Sequence, residues 1–144
     1  MSSILRFRKS VISEPVSALD IYEGEPRLLA PWYFYLRATE ETARCSRYDR
    51  KLALIVLEPA VAARGDLREW LSTKLRNTDL ACQNEGGVAF LLLPEADHDV
   101  AAEVANRLLA DFPNLSMLSA VFRTEPLRFK SLMAPLGQSR TKAA

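Results

Sequence analysis

The sequence predicts an α+β sandwich, a mainly antiparallel sheet with helices packed on it, and three observations carry that expectation. Val88–Leu93 is a continuous apolar run suited to a strand buried on both faces or at the sheet centre. Gly86-Gly87 just ahead of it supplies a hairpin turn, where glycine takes positive φ without a Cβ penalty. The predicted elements then run helix, strand, helix, hairpin, helix, strand, an order that a ferredoxin-like βαββαβ core satisfies.

Taken in order, Met1 to Arg27 carries Ser, Pro, Glu and Gly with little periodicity, and we expect a flexible arm over 1–27. From Pro31 the pattern predicts an amphipathic helix, with the proline in its first turn, Glu40 and Arg44 as an i,i+4 pair, and an end near Asp49. Its start, Trp32 to Tyr35, is an aromatic cluster too dense for one core-facing stripe, so part of it is expected at a second surface. Lys51 to Glu58 reads as the first core strand, β-branched in its middle and stopped by Pro59. Ala63–Arg76 predicts a short helix with Leu67, Trp70, Leu71 and Leu75 on one face and Asp66 near its start. The hairpin follows, and then Asp97–Phe112 predicts a helix with Val100, Val104 and Leu108 in its apolar stripe and Asp97 as N-cap. Leu115–Phe122 reads as the last strand. Only Phe129–Leu136 is apolar beyond it, before a polar tail over 137–144, so the folded domain is expected over 28–136.

With 144 residues the chain is one domain by length, able to bury a core without disulfides. Its 19 basic and 18 acidic residues leave a formal charge of +1, which argues against a nucleic-acid partner; any anion must be held locally. Cys45 and Cys82 have no metal-ligand spacing and read as small buried hydrophobes, as in a reducing compartment. The apolar runs are too short to span a bilayer, and Met1–Ser17 lacks the apolar stretch of a signal peptide, so no membrane insertion and a cytoplasmic location are expected. His98 is the one histidine, which rules out His-cluster metal sites and places any Ser-His-Asp chemistry on a polar loop.

Arg76 and Asp79 stand three apart, followed by Glu85-Gly86-Gly87, then Pro94, then Ala101, Ala105 and Arg107. In this register the stretch from Ala30 to Phe122 resembles the GGDEF (diguanylate cyclase) family, with Arg76 and Asp79 on its R-x-x-D motif. A one-residue slip fits the signature to Gly86–Phe90 instead, at the expense of one flank. The resemblance implies the ferredoxin-like core, with the family's C-terminal helix shortened or absent because only Phe129–Leu136 is left before the polar tail. It also implies a domain without cyclase activity: Glu58 and Ala60 stand where the family's D-x-D lies, Gly87 and Val88 where its signature has acids, and the segment that reads guanine is missing. Two-metal chemistry on a triphosphate needs converging carboxylates, so no catalytic residue, metal or cofactor is expected.

What the resemblance leaves is the family's product-binding site, whose counterparts here are Arg76, Asp79 and Arg107. A guanidinium can fork onto guanine O6/N7 or a phosphate, and a carboxylate can accept from guanine N1–H and N2–H. The implied function is an inactive cyclic di-GMP receptor that signals to a protein partner. The same residues also admit a plainer reading: Arg76–Asp79 as a local salt bridge and Arg107 as an ion-paired helix residue between Glu103 and Asp111. The chain would then be a nucleotide-independent interaction or homodimerisation module.

Overall fold

The sheet is laid out around β1 (Leu52–Glu58), which is apolar at every position but its last. The computed structural model describes residues 28–143; the arm expected over 1–27 lies outside the described residues. β1 pairs antiparallel with β3 (Ala89–Pro94) on one side and with β4 (Met117–Phe122) on the other, so that Ile55 faces Leu91 and Ala120. β2 (Leu80–Gln83) pairs antiparallel with the far side of β3, giving the order β2-β3-β1-β4. This is the strand order of a ferredoxin-like core, and the protein is an α+β domain with a fully antiparallel sheet.

Both faces of the sheet are covered, which explains why β1 and β3 read as unbroken apolar runs rather than alternating ones. Ala53, Ile55 and Leu57 of β1, with Leu91 and Leu93 of β3, face one layer made of α2 (Arg64–Thr73) and α3 (His98–Asp111). Leu52, Leu54 and Val56, with Phe90 and Leu92, face the other, made of α1 (Pro31–Tyr48) and α4 (Pro126–Ala143). The crossover helices α2 and α3 thus share one face, and α1 and α4 close the other.

The caps follow the sequence closely at some ends and not at others. Pro31 opens α1 at its first helical position, and Asp49 closes it with φ of 53°. Asp97 caps α3, its Oδ1 accepting from the Val100 N–H at 3.0 Å. That bond is the main reason its carboxyl lies below the ordinary value. Cys45 and Cys82 are both buried free thiols, and burial pushes the Cys45 thiol up.

Three local expectations are corrected. First, α2 ends at Thr73 rather than Arg76, after a 3-10 turn at Val61–Ala63. The Asp79 carboxylate takes the Arg76 N–H that a longer helix would use, and so favours a turn there. Second, Arg44 pairs with Glu41 at 2.9 Å rather than with Glu40, which lies 3.8 Å from Arg37 instead; three-residue spacing brings both pairs together as readily as four. Third, the polar tail is helical. α4 runs through it to Ala143 although Pro135 lies inside. A proline deletes one intrahelical bond, but Phe129, Met133 and Leu136 are buried against the sheet and hold the helix across the break.

Candidate functional site: the Arg76–Asp79 turn and the cleft beside it

The loop from α2 to β2 folds into a tight turn because two bonds close it. Asp79 N–H donates to the Arg76 carbonyl at 3.0 Å, and Arg76 N–H donates to Asp79 Oδ2 at the same distance. The carboxylate also accepts from the Arg76 guanidinium, at 3.1 Å from Nη2 and 3.3 Å from Nε. Nη2 donates in addition to the Pro94 carbonyl at 3.1 Å, tying the turn to the end of β3. The Asp79 side chain is 3% exposed and that of Arg76 51%. Asp79 is therefore a buried anchor whose oxygens are already engaged, and Arg76 is a cation held in one orientation at the surface. In this arrangement direct acceptance from a guanine edge falls outside the reach of Asp79; its contribution is to position Arg76.

Beside the turn lies a cleft of about 600 Å³ between α1 and the α2–β2 loop. Tyr33, Arg37, Glu41 and Arg44 line it from one stripe of α1, as residues four, eight and eleven apart on a helix must. Asn77, Thr78 and Asp79 line it from the loop, and Leu29, Leu80 and Pro94 supply its apolar surface. The volume lies in the range of small-molecule sites, with more polar and charged residues than apolar ones in the wall. The sequence did carry a signal for it, the i, i+4, i+8, i+11 spacing on α1, but nothing in one dimension says which loop that stripe meets.

Arg107 is placed elsewhere, in the α2/α3 layer. Its guanidinium sits over the Trp70 ring, 5.9 Å from the centroid, while Trp70 Nε1 donates to Asp111 at 2.7 Å. The expected competitor for Asp111 was Arg107; the indole takes it instead. Arg107 lines a shallow groove whose residues all come from α3, and that groove shares none with the cleft at Asp79. The fold thus joins Arg76 to Asp79 and leaves Arg107 outside their cleft.

The hairpin turn closes with Asn84 N–H on the Val88 carbonyl at 2.9 Å and Val88 N–H on Asn84 Oδ1 at 3.0 Å. Gly87 has φ of 88°, a conformation that favours glycine, and a Cβ there would oblige the Arg64 side chain to move. Among the described residues no group of three His, Cys, Asp or Glu side chains converges as a metal site would need, and no helix is long and apolar enough to cross a membrane. Compared with known proteins, the chain matches no family model and no curated relative.

Proposed function

We propose that this domain is a receptor for cyclic di-GMP that performs no chemistry on it and passes the bound state to a protein partner, in the cytoplasm. The observation that supports this best is the pinned guanidinium. Arg76 is half-exposed, yet Asp79 and the Pro94 carbonyl fix its fork. A side chain held in place loses less freedom on binding, and a guanidinium charge suits both a guanine acceptor and a phosphodiester. Asp79 orients the guanidinium and Arg76 meets the ligand; Arg107, the third residue that the GGDEF resemblance implied, lies outside their cleft. Titration calorimetry with cyclic di-GMP tests the reading: we expect micromolar or tighter binding, abolished in Arg76→Ala. Absence of heat with the wild-type protein at high concentration would reject it.

A second reading rests on a different observation, the outer edge of β4. Met117–Phe122 has no charge and no proline to discourage pairing with another strand. Among the described residues Phe122 is masked, its N–H donating to the Glu125 carboxylate at 3.1 Å and its carbonyl accepting from the Glu125 N–H at 2.8 Å. A homodimer through this edge needs no nucleotide, and it predicts a dimer in sedimentation that Ala120→Pro converts to monomer.

A further inference from the structure

We propose that the cleft between α1 and the α2–β2 loop is the nucleotide pocket, and that Arg37, not Arg107, supplies the second cation to the ligand's phosphate. The inference deepens the receptor reading and rests on it for the ligand's identity.

Charge pairing around the cleft singles out Arg37. Arg44 donates to Glu41 from both Nε and Nη2, at 3.2 and 2.9 Å, so these two neutralise each other. Asp79 is matched by Arg76. Arg37 has Glu40 at 3.8 Å, too far for a hydrogen bond, and its side chain is 36% exposed. Arg37 is therefore the lining guanidinium least tightly committed to a carboxylate, on α1, facing the loop that holds Arg76. An anion in the cleft would meet Arg37 there, with Arg76 on the loop that forms the opposite wall.

The rest of the lining fits a base. Asn77 and Thr78 are exposed, and neither side chain hydrogen-bonds another described residue. An amide offers both a donor and an acceptor, and a hydroxyl does the same, which is what a base edge demands. The half-buried Tyr33 ring, with Leu29, Leu80 and Pro94, gives the flat apolar surface on which a base can lie. Base, edge and phosphate thus meet three kinds of wall in one cavity. Arg107 cannot take part, because its groove opens along α3 on the other side of the sheet.

The test measures affinity for cyclic di-GMP and for GMP with the wild-type protein and with Arg37→Ala, Arg37→Lys and Arg107→Ala. Amide shifts of labelled wild-type protein are recorded alongside. We expect Arg37→Ala to weaken binding about tenfold or more, the order of one charge-assisted hydrogen bond, and Arg37→Lys to restore part of it. Arg107→Ala should change affinity less than about twofold, as a residue outside the pocket should, and the shifts should centre on Tyr33, Asn77 and Thr78. If cyclic di-GMP binds and Arg107→Ala is the damaging variant, the pocket is misplaced while the receptor reading survives. If GMP binds with Arg37 dependence and cyclic di-GMP does not, the pocket stands and the receptor reading falls. If neither binds, both fall.

Discussion

Removing the Asp79 carboxylate should cost stability even before any ligand is considered, and the geometry sets how much. The buried carboxylate accepts from the Arg76 backbone N–H at 3.0 Å and from its guanidinium at 3.1 Å. A hydrogen bond to a charged group contributes about 1.5–3 kcal/mol. The ion pair itself is half-solvated on the Arg76 side, which limits it to about 1 kcal/mol or less. Asp79→Ala should therefore destabilise the fold by about 2–4 kcal/mol, and Asp79→Asn, which keeps an acceptor oxygen, by roughly half as much. Urea denaturation at neutral pH reads this directly as a lower midpoint with an unchanged slope. A double-mutant cycle with Arg76→Ala then divides the effect. Coupling between the side chains should be about 1 kcal/mol or less, because the backbone N–H remains for Asp79 to hold when the guanidinium is gone. If Asp79→Ala lies within about 0.5 kcal/mol of wild type, or its whole cost vanishes in the Arg76→Ala background, the buried-anchor description of this turn is wrong.

Two further changes probe the scaffold. Gly87→Ala forces a side chain into a left-handed conformation and against Arg64, and should lower stability by about 1–3 kcal/mol in the same urea assay. The pH dependence of Asp97 has a definite sign. Its folded carboxyl lies below the ordinary 3.8, because it accepts from the Val100 N–H. Its contribution is therefore present above that value and lost as pH falls through the lower, folded one. Asp97→Asn should keep the cap at neutral pH and shallow the fall in thermal midpoint below about pH 4. Asp97→Ala should lower the midpoint at neutral pH as well, and identical acid profiles for all three proteins would refute the assignment.

The fold was legible where burial and periodicity agree. The runs Leu52–Leu57 and Val88–Leu93 announce strands covered on both faces, and they are the two central strands of the sheet. Asp97, Pro31 and Asp49 marked helix ends because each acts locally, through its own side chain or backbone. The errors arose where a distant partner decides. The polar residues after Leu136 argued for a tail outside the domain, but the face carrying Phe129, Met133 and Leu136 lies against α1 and the sheet, and neither shows in the tail's own composition. Arg76 continued a helical pattern until the Asp79 side chain took its N–H.

The site was half legible for the same reason. Arg76 and Asp79 are three residues apart and meet through a turn, so their spacing carried the geometry. Arg107 is 31 positions from Arg76, and its placement depended on Trp70, an indole that claimed both the arginine's face and the acid expected to pair with it. The α1 wall of the cleft showed only as a spacing on one helix, since Tyr33 and Arg37 come to face Asn77 and Thr78 only once β2 and α1 are packed together.

The receptor reading is tested most directly by equilibrium binding of labelled cyclic di-GMP to the wild-type protein, competed by unlabelled compound, with Arg76→Ala as control. We expect saturable, competed binding in the wild-type protein and none in Arg76→Ala. Unsaturable binding, or equal binding by both proteins, would contradict it.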